Sequence, residues 1–507
     1  MNVKKNKKVD ATAKTRCSSG VEGLDPILSG GLPEKCFYLI QGDPGSGKTT
    51  LALQFLLEGK RNGESVFYIT LSETRNELLT VAESHGWSLE GIPLMEMSSV
   101  EKLLRPEEQT SVFHSSEIEL NTVSQMLLDK IRESKPTRLV FDSLSEFRLL
   151  AETPLRYRRQ LLAFKRAFAD LNCTVLLLDD RASGTDGDPH ILSLSHGVVQ
   201  MEQLSPDYGA SRRRLRVLKM RGVKFYEGYH DYIIATGGVR IFPRLVAAQH
   251  RGDLPHKSVS SGIKELDTLF GGGLDRGTTT LILGPAGTGK SSLALQNVEA
   301  ALKRGERAMV YTFDETLGIM LARTKGLGMD LEKYIRSGLL TVQQIDPAEL
   351  SPGEFAVRVQ RGVEAGARVV VIDSLNGYLN AMPGEKYLNN QLHELCSYLN
   401  QQGVVTILVL AQYGLVSAAE SPVDLSYLAD TVAHLRFFEV EGHVRQALAV
   451  IKKRSGPHEK TIREFMLERG KGVRVGPPLR EFAGVLGGVP QFQGAKNKIL
   501  RNRSDAA

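Results

Sequence analysis

The sequence predicts an α/β protein made of two tandem domains, each a mainly parallel sheet flanked by helices. The first observation behind this is an internal duplication. Ser19-Gly-Val-Glu-Gly-Leu-Asp25 returns as Ser261-Gly-Ile-Lys-Glu-Leu-Asp267, and Gly30-Gly31-Leu32 returns as Gly272-Gly273-Leu274. Both segments are displaced by 242 residues, a period that denotes whole domains rather than a solenoid repeat. The second observation is that short β-rich runs alternate with helical runs inside each copy, the pattern of βαβ units. A chain of 507 residues has room for both copies.

The elements follow in order. Cys36–Gly42 reads as a short apolar strand that ends in a glycine loop, and Thr49–Lys60 has helical spacing. Ser65–Leu71 reads as a strand and Ile118–Glu133 as an amphipathic helix. Arg138–Asp142 and Thr174–Leu178 are short enough to be buried strands. After Ser195 the pattern changes to strands joined by turns, which predicts an antiparallel extension of the sheet. The expected divisions are a basic tail over 1–16, domains over 17–250 and 251–490, and a basic tail over 491–507. The boundary is expected in the polar, Gly- and Pro-bearing stretch 247–258.

Composition excludes several classes. Apolar residues make up 41% of the chain and charged residues 24%, enough for large cores and no case for general disorder. The net charge of +6 permits nucleotide or nucleic-acid binding without requiring either. No run approaches the length of a membrane span, and the basic N-terminus lacks the apolar segment of a secretory signal. Cys17, Cys36, Cys173 and Cys396 form no C-x-x-C pair, which argues against a zinc knuckle or disulfide framework and suits a reducing cytoplasm.

The strongest chemical signals are two glycine loops of the form G-x-x-x-x-G-K-[ST]. Gly42-Asp43-Pro44-Gly45-Ser46-Gly47-Lys48-Thr49-Thr50 occupies the first copy and Gly284-Pro285-Ala286-Gly287-Thr288-Gly289-Lys290-Ser291-Ser292 the second. Between a strand and a helix, this spacing turns successive backbone N–H groups toward a phosphate. The lysine reaches the β/γ oxygens and the hydroxyl of Thr49 or Ser291 holds Mg²⁺. Two such loops at equivalent places predict a nucleoside triphosphate in both domains. Asp142 and Asp373 end buried strands, where a carboxylate holds the metal through water; an aspartate there can also simply cap the next turn.

Hydrolysis needs a group that orients the attacking water. Glu73 in the first copy, and Asp314 with Glu315 in the second, end the strand after the P-loop helix; capping the following helix is their alternative role. Lys219 and Arg221 share one face of a strand, and Lys452 and Arg454 repeat the spacing. Such a pair could reach a γ-phosphate bound by a neighbouring subunit; DNA contact and plain surface charge stay open.

With these motifs in order in both halves, roughly over residues 17–490, the sequence resembles the KaiC family within the RecA/RadA-like ATPases. The resemblance implies two tandem RecA-like P-loop ATPase domains and a homohexamer of two stacked rings with ATP between subunits. It also implies hydrolysis in the first ring, reversible autophosphorylation in the second, and an unidentified signalling partner. The family's paired catalytic glutamates fall on Ser72 and Glu73, and on Asp314 and Glu315. Its trans-acting basic residues fall on Lys219, Arg221, Lys452 and Arg454, and its phosphorylated Ser-Thr pair falls on Ser426 and Tyr427. Ser72 cannot serve as a carboxylate, and Tyr427 carries its hydroxyl farther from the backbone than threonine does. The tail after Pro490 is short and basic, without an evident clock-partner binding segment. Two other readings compete: a recombinase- or helicase-like DNA motor, weakened by the lack of an aromatic–basic pattern for stacking strands, and a nucleotide-gated scaffold with little turnover.

Overall fold

The structure is a computed structural model that describes residues 15–96, 115–181, 189–205, 209–250, 257–346, 348–380, 387–412, 426–486 and 491–494. Residues 1–14, 251–256 and 495–507, which hold most of the expected tails and linker, lie outside the described residues. The chain divides into two compact units after Arg244. That is slightly before the expected boundary, because Leu245 and Ala247 are buried in the core of the second unit.

The first unit carries nine strands in one sheet. In chain order they are β1 (Phe37–Gly42), β2 (Val66–Thr70), β3 (Leu94–Glu96), β4 (Arg138–Asp142), β5 (Thr174–Asp180), β6 (Gly197–Leu204), β7 (Arg212–Met220), β8 (His230–Ala235) and β9 (Gly238–Phe242). Their spatial order is β9-β8-β7-β6-β1-β5-β4-β2-β3. β1 to β6 pair in parallel, so the first strand after Ser195 still joins the parallel set beside β1; the expected antiparallel extension begins one strand later, with β7, β8 and β9.

Alternation along each strand divides the core in two. Tyr38, Ile40, Tyr68, Val140 and Leu176 pack with Leu51, Leu53 and Phe55 of helix α1 (Lys48–Arg61). Phe37, Leu39, Phe67, Leu139 and Val175 face the opposite way. They meet α2 (Ser115–Ser134), α3 (Leu144–Ala151) and α4 (Pro154–Asp170). A parallel sheet buried on both faces is the physical reason its strands read as nearly continuous apolar runs.

The second unit repeats the plan. Its strands are β10 (Thr278–Gly284), β11 (Arg307–Thr312), β12 (Leu340–Gln344), β13 (Ala367–Asp373), β14 (Val405–Ala411), β15 (Thr431–Val440), β16 (His443–Lys453), β17 (Arg463–Glu468) and β18 (Gly472–Pro478). The order β12-β11-β13-β14-β10-β15-β16-β17-β18 matches the first sheet strand for strand. Helix α5 (Lys290–Lys303) covers one face. The other is covered by α6 (Pro352–Glu364) and α7 (Leu388–Gln401). Residues expected in the tails are paired: Arg16, with the neighbouring Cys17, pairs with Leu32–Pro33, and Gln491–Phe492 pairs with Phe482–Ala483.

His434 on β15 lies 3.1 Å from Gln412 through Nε2 and Oε1. Burial, with the charge of Arg436 beside it, pushes its imidazole down to about 4. The unfolded chain therefore takes up a proton below pH ~6.5 that the folded chain refuses. Stability of the second unit is expected to fall by roughly 2 kcal/mol between pH 7.5 and 5 on this account. His434→Gln should flatten that part of the profile in chemical denaturation, and an unchanged slope would refute the assignment.

Candidate active site

In each unit the P-loop leaves the end of the central strand and enters a helix. The third glycine of each loop shows why no other residue serves there. Gly47 and Gly289 adopt φ of 89° and 90° at the helix N-terminus. A Cβ on Gly47 would lie 2.5 Å from Ile234 Cδ1, and one on Gly289 would lie 2.8 Å from the Phe465 ring. Positive φ and the close approach of the antiparallel strands both demand glycine. Tyr232 donates to the Ser46 carbonyl at 2.6 Å, and Thr288 to the Pro285 carbonyl at 2.8 Å, which fixes the two loops.

In the first unit Lys48 donates to the carbonyls of Gly42 and Asp43, both at 3.0 Å, and pairs with Asp180 at 2.8 Å. Thr49 Oγ1 lies 3.3 Å from Asp142 and 3.5 Å from Glu73. Tyr68 donates to Asp142 at 2.6 Å. Burial raises the Asp142 carboxyl above its ordinary value. Burial, then the neighbouring Asp142, pushes Glu73 up to about 7. Removing water penalises the charged form, and a second carboxylate close by adds repulsion.

The second unit holds the corresponding groups in a cleft of about 400 Å³ lined by Gly287, Lys290, Ser291, Asp314, Glu315, Arg323 and Asp373. Lys290 donates to the Pro285 carbonyl at 2.7 Å, and burial brings its ammonium down to about 8. Burial also raises Asp373, opposed by a hydrogen bond from Ser291. Asp314 accepts from Ser374, while Glu315 is gripped by Arg323 through two bonds of 2.7 and 3.1 Å. A third bond runs from Arg323 to Ser292 at 2.9 Å.

The donor sets fit Mg²⁺. A hydroxyl, a strand-end carboxylate and a second acid converge in the first unit, all hard oxygen donors. Glu73 Oε2 is buried without a hydrogen-bond partner, an atom left for a water or a cation to satisfy.

The basic pairs lie elsewhere. Lys219 opposes Val198 near the start of β6, whereas Gly42 opposes Met201 toward its end. At ~3.3 Å per residue, Lys219 sits on the order of 10 Å from the P-loop end of the sheet. Within its own unit Lys219 donates to the Leu192 carbonyl at 2.7 Å, and Arg221 to that of Ser193 at 2.6 Å. Lys452 and Arg454 hold the carbonyls of Ser426 and Tyr427 at 2.8 and 3.2 Å in the same manner. The structure thus gathers the phosphate, metal and acid candidates and separates the basic pairs and Ser426 from them.

Three contributors escaped the sequence reading: Tyr68, Asp180 and Arg323. Asp180 had a visible signal, since the Thr174 strand runs on through Asp179-Asp180 instead of stopping at Leu178. Tyr68 and Arg323 looked like an ordinary strand aromatic and an ordinary helix cation.

Together the fold and these constellations define a tandem P-loop ATPase with a P-loop lysine, a hydroxyl and a strand-end aspartate in each half. A family model described as "ATPase: KaiC" matches residues 17–246 and again 259–480. The chain belongs to the KaiC family. It is 26% identical over 497 residues to a circadian clock protein KaiC3 of Synechocystis sp., covering 96% of both chains. It is 27% identical over 483 residues to a circadian clock oscillator protein KaiC of Parathermosynechococcus lividus, covering 93% of this chain and 87% of that one. No helix among the described residues is long and apolar enough to cross a membrane.

Tyr68→Phe deletes the buried donor to Asp142 without changing ring volume. The first unit is expected to lose about 1–3 kcal/mol, read from the urea midpoint of the full chain. A midpoint equal to wild type would show that the bond carries no net stability.

Proposed function

We propose that this protein is a Mg²⁺-dependent ATP-hydrolysing ring protein with serine autokinase activity in its second half, acting in signalling or regulation. The observation that carries the reading is the repeated convergence of P-loop lysine, hydroxyl, strand-end aspartate and a further acid. Lys48 and Lys290 would neutralise β/γ oxygens, and backbone N–H groups of the two loops would cradle them. Thr49 with Asp142, and Ser291 with Asp373, would hold Mg²⁺, which when bound neutralises charge developing on the phosphates. Glu73 and Glu315 would orient the attacking water.

Glu73 compensates for Ser72. Its carboxylate stands beside Thr49, so the first half keeps one acid at the metal position, which weakens the pure scaffold reading for that half. The basic pairs support assembly. Lying at the strand ends away from their own P-loop, they are placed for a nucleotide held by another subunit rather than their own, the logic of a ring such as a homohexamer. The same holds for Ser426, which precedes Thr431; that residue pairs with Thr280 near the start of β10, at the far end from Gly284. Phosphate transfer to Ser426 would therefore come from the neighbouring copy. An unidentified signalling protein is the partner that this reading expects, whereas a DNA-driven motor gains no support from the site. A cytoplasmic location is part of this proposal.

Lys290→Ala should abolish phosphate on Ser426 after incubation with Mg-ATP, read by intact mass and phosphopeptide analysis. Wild-type chain without phosphate at Ser426 would remove the kinase reading. Glu315→Gln and Glu73→Gln should each lower steady-state ATP turnover of their own half by roughly 10²-fold or more, as loss of a water-positioning group does. A Lys48→Ala/Lys290→Ala chain that still turned over ATP at the wild-type rate would refute the ATPase reading itself.

A further inference from the structure

The two halves carry different side chains at one equivalent position on the strand beside the P-loop, and the difference bears on how the sites load. Asp180 pairs with Gly42 across β5 and β1, and Ala411 pairs with Gly284 across β14 and β10. The next residue closes the same bond in both units: Arg181 N–H to the Gly42 carbonyl and Gln412 N–H to the Gly284 carbonyl, each at 3.1 Å. Only the side chain has changed. In the first unit it is a carboxylate 2.8 Å from the P-loop lysine; in the second it is a methyl group.

We propose that Asp180 is an internal competitor for the phosphate subsite of the first half, so that one chain holds ATP with two different affinities. This rests on the ATP-binding reading above and deepens it. Lys48 is almost wholly buried, whereas Asp180 is about half exposed, 9% against 48% for the side chains. The ammonium stays in place while the carboxylate is free to leave. An incoming β/γ-phosphate needs that ammonium, and a carboxylate left beside it repels the phosphate oxygens.

A second partner is already at hand for the displaced acid. Ser145 on α3 lies 3.5 Å from Asp180 Oδ2; its hydroxyl accepts from the Asp180 N–H at 3.0 Å and, with its one proton, donates to Asp179 Oδ1 at 3.0 Å. The matching residue of the second unit, Asn376, instead fastens the backbone of Ala411 on both sides. Its amide donates to the Ala411 carbonyl at 2.9 Å and accepts from the Ala411 N–H at 2.7 Å. The first unit thus has a side chain that can exchange Lys48 for Ser145 once that hydroxyl turns from Asp179, and the second has a fixed backbone clamp. The second half would fill at lower ATP, and Asp180 would swing toward α3 only when the first half fills.

The test uses the full chain with one site silenced and a ribose-labelled fluorescent Mg-ATP as probe. In a Lys290→Ala background, Asp180→Asn should tighten first-half binding by about two- to fivefold, the range expected for a partly exposed ion pair. In a Lys48→Ala background, Ala411→Asp should weaken second-half binding by a similar factor. Adenosine, which has no phosphate, should bind with unchanged affinity in each comparison, which separates competition from a general disturbance of the fold. Unaltered or weaker ATP binding in Asp180→Asn, or equal shifts for adenosine and ATP, would overturn the proposal. Wild-type chain that bound no labelled ATP at all would instead bring down the ATPase reading and this inference with it.

Discussion

In each half one strand, β1 or β10, is paired in parallel on both sides and buried on both faces. This constraint aligns the C-terminal ends of its neighbours with its own. The glycine loop, the end of β4 or β13 and the end of β2 or β11 therefore emerge along one edge. A phosphate site needs backbone N–H groups, an ammonium, a hydroxyl and an acid within a few ångströms. Residues that are tens to about a hundred positions apart in sequence meet there because parallel pairing leaves their strands ending side by side.

That edge is also where water is scarce. Asp142 is almost fully enclosed and Asp373 partly so, and burial dominates what happens to their carboxyls. The protein offsets part of the cost with fixed donors: Tyr68 and Thr49 on Asp142, Ser291 on Asp373. Enclosed oxygens in this state bind a hard cation more strongly than solvated ones, because less water has to be displaced.

The duplication kept the frame and let the side chains around it diverge. The second half clamps Glu315 with Arg323, where the first leaves Glu73 Oε2 without a partner. The first half ties its P-loop lysine to Asp180, where the second uses a carbonyl. On the opposite sheet edge the divergence is smaller. Lys219 with Arg221, and Lys452 with Arg454, grip the segment before the next strand through the same two carbonyl positions.

The sequence by itself determined the fold class, the two copies and nearly every residue of the phosphate and metal candidates that the structure brings together. Glycine loops, strand-end aspartates and apolar runs owe their identity to local backbone geometry and burial, and local causes leave local signatures. The close match of Arg138–Asp142 and the extension of Thr174–Leu178 by two residues show the reach of that signal and its weakness at element ends. Only the tertiary structure decided that Lys219, Arg221, Lys452, Arg454 and Ser426 stand apart from the P-loops of their own halves. Only it revealed Asp180 on Lys48, Tyr68 on Asp142 and Arg323 on Glu315. Those relations depend on which strands lie side by side and in what register, and a list of residues carries no record of neighbours across a sheet.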